Sequence, residues 1–142
     1  IALHVALLRP NRVGALVGIA AAPDFTHWGF EQEETAALRL NGRLERKGQY
    51  DGTAAFFTLA FYESAERLML LHNPIEITCP VRLIHGELDE DVPHEVALRT
   101  MNALRSGDVQ LNLIKGGGHR LSQPHEIETI LRTVINLLER AP

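Results

Sequence analysis

The sequence predicts an α/β fold with three short parallel strands, flanking helices and an insert between the first two strands. Three observations carry this. Residues 13–19 and 81–85 are short, continuous apolar runs rich in branched side chains, as suits parallel strands covered on both faces. Residues 109–114 alternate apolar and polar, as in a half-exposed edge strand. Helical segments separate these runs, which requires parallel pairing with right-handed crossovers.

Taken in order, residues 1–9 form an apolar helix that Pro10 stops, because the proline ring clashes with the preceding turn. No cap and no charged leader precede this helix, so it is not read as a signal peptide, and the chain is expected to be the C-terminal part of a longer protein. The first strand follows at 13–19, then a bend of small residues, with Asp24 just past it. Residues 31–47 read as a charged helix with a thin stripe of Ala37, Leu40 and Leu44. Residues 48–52 read as a turn, 53–57 as strand or helix, and 58–71 as a helix. This stretch holds Phe25, Trp28, Phe30, Tyr50, Phe56, Phe57, Phe61 and Tyr62. They are expected to form a small core of the insert, with some of them lining a cleft.

The second strand, 81–85, leads into Gly86 and then Asp89. Pro93 restarts the chain as a helix to Leu104, with Val96, Leu98 and Met101 on its apolar face. The third strand ends at Gly116-Gly117-Gly118-His119. Ser122 is expected to cap the last helix, whose stripe is Ile127, Ile130, Leu131, Val134, Leu137 and Leu138. The expected organisation is thus 1–23 and 76–142 as one core, with 24–75 as a helical cap, or lid, inserted into it.

The 142 residues suffice for one modest domain, 45% of them hydrophobic and 23% charged. The net charge of −4 and the lack of a Lys/Arg run argue against nucleic acid as a partner. No apolar stretch reaches the roughly 20 residues of a membrane span. The single cysteine, Cys79, excludes an internal disulfide and reads as a core residue. A cytoplasmic location is the default expectation.

Asp24, Asp89 and His119 all fall at strand carboxyl ends, where open α/β sheets collect function. A hydroxyl nucleophile needs a base, and the base needs a partner to hold its tautomer. His119 suits the base, since an imidazole titrates near neutrality. The glycines before it allow a tight bend. Asp89 suits the acid. Asp91 competes, but its place beside Val92-Pro93 favours a helix cap. The acid-then-base order is that of the last two members of a Ser-Asp-His triad. Of the three serines, Ser64, Ser106 and Ser122, none lies in a Gly-x-Ser-x-Gly elbow. His85 is expected to anchor the acid loop by hydrogen bonds. A metal site of His85, Asp89 and His119 is a weak alternative, because no ligand-cluster spacing is present. His72 and His125 read as surface or packing residues.

The motif at residues 85–93, followed by Gly118-His119-Arg120, resembles the C-terminal half of an α/β-hydrolase-fold serine hydrolase. Residues 70–86 resemble in particular the branch of palmitoyl-protein thioesterases that also deconjugate acyl glucuronides, together with their bacterial relatives. The resemblance implies a partial α/β-hydrolase fold, with Asp89 as triad acid and His119 as base. It also implies a nucleophilic serine upstream of Ile1, an acyl ester or thioester substrate, and no cofactor or metal. On that basis the chain needs the remaining half of the fold and is inactive alone. Other chemistries of the same fold (dehalogenases with an Asp nucleophile, carbon–carbon hydrolases) and a non-catalytic binding module are the alternatives.

Overall fold

The computed structural model describes residues 1–47 and 53–139. The turn expected at 48–52, with Tyr50, lies outside the described residues. The chain forms two compact units, Ile1–Pro23 with Leu70–Pro142, and Asp24–Met69.

The first unit is built on a parallel sheet in the order β1-β4-β5, with β1 at Leu16–Ile19, β4 at Val81–Gly86 and β5 at Val109–Ile114. Leu16 lies opposite Val81 and Ile19 opposite Ile84; on the other side Val81 pairs with Val109 and Gly86 with Ile114. Helix α1 (Ala2–Leu8) precedes β1, α5 (Glu95–Ala103) joins β4 to β5, and α6 (Pro124–Leu138) closes the chain. Every residue of β4 is buried, as the middle strand of a covered sheet requires. Ala6, Ile75, Ile77, Val81, Leu83 and Leu104 form the core cluster. Cys79 packs against that cluster, and burial raises the pKa of its thiol.

Two expectations change here. The first strand is shorter than 13–19, running over Leu16–Ile19. Helix α6 is capped by Gln123 rather than Ser122. The Gln123 side chain takes the Glu126 amide, and Glu126 Oε2 accepts from Gln123 N at 2.7 Å. The apolar stripe of α6 is only partly covered, with Ile127, Leu131, Ile135 and Leu138 exposed.

Arg82, on buried β4, is matched outside the apolar core by a fork. Its Nη1 lies 2.8 Å from Asp108 Oδ1 and its Nη2 3.1 Å from Oδ2. This bidentate geometry satisfies a charge that could not otherwise stay buried.

The second unit contains α2 (Phe25–Trp28), α3 (Gln32–Asn41), β2 (Arg43–Lys47), β3 (Ala54–Thr58) and α4 (Leu59–Glu66). The helix expected over 31–47 stops at Asn41, residues 43–47 form a strand instead, and the stretch 53–57, left open between strand and helix, is a strand. Gly42 adopts φ 72 and ends α3, so residues 43–47 run as a strand antiparallel to β3, with Leu44 opposite Phe57. Only glycine takes that left-handed conformation without steric cost. The apolar content is a cluster of rings. Phe30 lies 5.2 Å from Phe57 and 5.3 Å from Tyr62, both edge-on, and Phe25 stacks on Phe61 at 5.5 Å. Arg46 lies 4.9 Å from the Phe30 ring centre, bonds Gly29 O at 2.9 Å and forms a salt bridge to Glu34 at 2.6 Å. That pairing holds the Glu34 carboxyl below its usual pKa. These aromatic residues therefore make the unit's own small core, and Phe56 points to solvent.

Candidate active site

The site is a meeting of two turns, each leaving the carboxyl end of a strand. The first, residues 87–92, follows β4. The second, residues 115–118, follows β5. The backbone ties them together: Glu87 N donates to Ile114 O at 2.9 Å and Leu88 N to Gly117 O at 2.8 Å. Gly86 makes this approach possible, because a Cβ there would lie 2.3 Å from Gly117 O. Gly116 carries the positive φ of 71 that turns the second loop. Glu87 staples the two turns from outside, pairing with the Lys115 ammonium and accepting from Gly116 N at 3.1 Å. The Lys115 hydrogen bond first, and then the Gly116 amide, hold the Glu87 carboxyl below its ordinary pKa.

Asp89 lies inside this meeting point with a fully buried side chain. Its Oδ1 accepts from the amides of Asp91 at 3.0 Å and Val92 at 2.9 Å. Its Oδ2 lies 3.0 Å from His119 Nδ1 and 3.2 Å from His85 Nε2. A carboxylate can accept at both oxygens, and three N–H donors reach it: the two amides at Oδ1 and the His119 ring at Oδ2. The acid is thus held in one orientation, its burial compensated by hydrogen bonds.

His119 is different. Its side chain is 36% exposed, so the ring borders solvent while one nitrogen faces Asp89. A carboxylate can only accept, so Nδ1 carries the hydrogen and Nε2 is the basic nitrogen of the neutral ring. The pair can therefore take a proton at Nε2 and stabilise the resulting imidazolium through Nδ1.

The structure separates Asp89 from Asp91. Asp91 does not cap α5; the helix begins at Glu95 with His94 in the capping position, and the Asp91 amide serves the Asp89 carboxylate. His85 is buried and also reaches Val92 O at 2.9 Å, so it holds the acid turn from beneath. Asp24 belongs to the second unit, where it starts α2 with φ 53. His85 anchors the acid turn as its place before Gly86 suggested, whereas sequence reasoning missed two supports: the Glu87–Lys115 staple and Glu126. Glu126 is buried, and its Oε1 would sit 3.1 Å from a Cβ at Gly117. The Gln-Pro-x-Glu pattern at 123–126 was a readable signal for the last.

Asp89, Asp91 and His119 each offer a ligand atom within 4.8 Å of the others. The oxygens of Asp89 are already occupied by N–H donors, so this donor set suits proton transfer better than an ion. Among the described residues, no helix is long and apolar enough to cross a membrane.

Comparison with known proteins agrees with this architecture. The chain is 34% identical over 142 residues to the mouse protein named palmitoyl-protein thioesterase ABHD10, mitochondrial, covering 97% of this chain and 48% of the relative. Against the human protein of the same name the identity is 31%, covering 97% and 46%. The chain thus spans about half the length of the curated relatives it matches, and their names place them in mitochondria rather than in the cytoplasm expected by default. Among solved structures, mouse alpha/beta hydrolase domain-containing protein 10 superposes with a TM-score of 0.89 at 34% identity, covering 99% of this chain and 58% of that one. A putative hydrolase from Agrobacterium vitis S4 superposes at 0.86 and 31% identity, covering 96% and 56%. The fold is therefore a partial α/β-hydrolase fold carrying its last three parallel strands. Residues 5–141, nearly the whole of this chain, match the prolyl oligopeptidase family, and the chain belongs to that family.

Proposed function

We propose that this chain is the acid- and base-bearing part of a serine hydrolase that cleaves carboxylic esters or thioesters. The observation that carries the reading is the 3.0 Å contact between His119 Nδ1 and the buried Asp89 carboxylate. Their order in the chain, acid before base at consecutive strand ends, supports it. So do the thioesterase names of the relatives.

In this reading the nucleophile is a serine N-terminal to Ile1. His119 Nε2 removes the hydroxyl proton as the oxygen attacks the acyl carbonyl. Asp89 stabilises the imidazolium without itself being protonated. His119 then gives that proton to the departing alcohol or thiol, and the acyl group remains on the serine. Water, deprotonated in turn by His119, hydrolyses the acyl-enzyme and restores the starting state. Residues 1–142 alone are inactive because they lack the nucleophile. The unit Asp24–Met69 is the cap insert of the complete enzyme.

A fluorophosphonate probe tests the reading on the full-length protein. Labelling of one serine outside residues 1–142, lost in His119→Ala, is expected. Absence of labelling in a folded, unmodified protein would reject it.

A further inference from the structure

Among the described residues, three that are not glycine take a positive φ: Ala20, Asp24 and Leu121. Leu121 is the bulkiest of them, and it follows His119 and Arg120 directly, with φ 44. Glycine would hold this left-handed backbone without steric cost, whereas a leucine there is strained. Such strain persists only where surrounding contacts over-determine the conformation. The leucine side chain makes those contacts. Leu121 is only 2% exposed. A Cβ built on Gly117 would meet Leu121 Cδ2 at 3.0 Å, Glu126 Oε1 at 3.1 Å and Gly86 Cα at 3.2 Å. Gly117 is thus walled by the leucine, by a buried carboxylate and by the backbone that leads into the acid turn.

We propose that Leu121 is a positioning residue for the base: its buried side chain closes residues 117–121 into a short loop and so holds His119, at the middle of that loop, toward Asp89. The proposal rests on the reading of Asp89 and His119 given above. Gly117 is the fixed end of the loop. Its amide donates to Ile114 O at 3.1 Å and its carbonyl accepts from Leu88 N at 2.8 Å, which ties it to β5 and to the acid turn together. Leu121 is the end that must be brought back. Gly117 and Leu121 are both buried, while Gly118, His119 and Arg120 between them are not. Burying the apolar leucine against Gly117 favours that return, and the left-handed backbone supplies the bend for it.

The neighbouring groups hold other parts of the site. Glu87 holds Lys115 and Gly116, ahead of Gly117. The amides of Asp91 and Val92 hold the acid. Gly118 gives the base turn no wall of its own, since a Cβ there would meet nothing within 4 Å. Without the leucine side chain a void opens beside Gly117, and the turn can relax into it. A displacement of His119 by about 1 Å is enough to lower turnover about a hundredfold. Leu121 therefore acts through His119 and not on the substrate.

The test compares Leu121→Gly with Leu121→Met in the full-length enzyme. Glycine removes the anchor and also relieves the strained backbone, so the fold loses less than the site does. Methionine keeps nearly the same apolar volume. Leu121→Gly is expected to lower kcat per folded enzyme by about tenfold to a hundredfold. KM should stay within about twofold, since no substrate contact is removed. Leu121→Met should bring kcat back to within about threefold of the unmodified enzyme. A folded Leu121→Gly with unmodified kcat, or Leu121→Met as impaired as glycine, would overturn the proposal. If the glycine variant does not fold, NMR of the unmodified enzyme decides. Cross-relaxation between the Leu121 methyl protons and the Gly117 Hα protons is expected, and its absence overturns the proposal. Full activity in His119→Ala would instead remove the underlying acid–base reading, leaving the Leu121–Gly117 contact as it is.

Discussion

Gly86 and Gly117 meet backbone to backbone, so closely that a methyl group on Gly86 would sit 2.3 Å from the Gly117 oxygen and 2.6 Å from its carbonyl carbon. This contact joins the turn after β4 to the turn after β5, and the Asp89–His119 pair depends on it. Both obstructing atoms are main chain, so no side-chain rotation relieves the clash. Gly86→Ala is therefore expected to cost about 3 kcal/mol, the upper range for overpacking, with loss of ester hydrolysis as the two turns part. Thermal unfolding and turnover of the full-length variant check this; a normal melting temperature with normal activity would contradict it.

The ranking of the two acids gives a second prediction. Asp89→Asn keeps size but converts an acceptor-only group into one that can donate, so the His119 tautomer is no longer fixed. In hydrolytic triads such a change lowers kcat on the order of 10⁴-fold. Asp91→Asn leaves its amide bond to Asp89 and the Asp89–His119 contact intact and should lower kcat less than about tenfold. Steady-state kinetics of the two variants, side by side, distinguish them. Equal losses would mean that the carboxylates share the role.

Burial of Arg82 sets a third expectation. Its side chain is 7% exposed, and Asp108 supplies both oxygens of the fork. Asp108→Ala should destabilise the fold by about 2 kcal/mol, the scale of losing hydrogen bonds to a buried charge. Arg82→Met removes charge and demand together and should cost less, as replacements of buried ion pairs by apolar side chains often do. Denaturant midpoints of the two variants give the order, and the reverse order would count against it.

The second unit should respond to acid through Glu34. Its folded pKa lies below the ordinary value because Arg46 binds the ionised form. A lowered folded pKa means stability that is present above the unfolded value of 4.5 and lost as pH falls through the folded value. The pair is partly exposed, so screening limits the contribution to under about 1 kcal/mol. Fluorescence of Trp28, the single tryptophan, can follow urea unfolding between neutral pH and pH 3. Glu34→Gln should flatten the acid decline. An unchanged decline would assign it to other groups.

These particulars also show what the chain made legible. Val81-Arg82-Leu83-Ile84-His85-Gly86 and the glycines before His119 could be read directly, because glycine and proline punctuate apolar runs there. Asp89 stood out from Asp91 because it follows the Gly86 turn, and its side chain is the one in contact with His119. The β2–β3 hairpin was not legible in the same way. Leu40 and Leu44 keep helical spacing across Gly42, and the left-handed backbone at that glycine overrides the pattern. Ser122 looked like a cap by residue type, but the reciprocal bonds of Gln123 and Glu126 won. The anchoring role of His85 was legible from its place before Gly86, but its partner, the Val92 carbonyl, was not, because the two are joined only when the acid turn closes.

Hydrolysis of a short-chain acyl thioester by full-length His119→Ala, beside the unmodified enzyme, tests the acid–base pair most directly. The account predicts a fall in kcat on the order of 10⁴-fold or more with the melting temperature held, because a partly exposed ring is removed while the buried acid keeps its other donors. Turnover within a few-fold of the unmodified enzyme, from a folded variant, would contradict it.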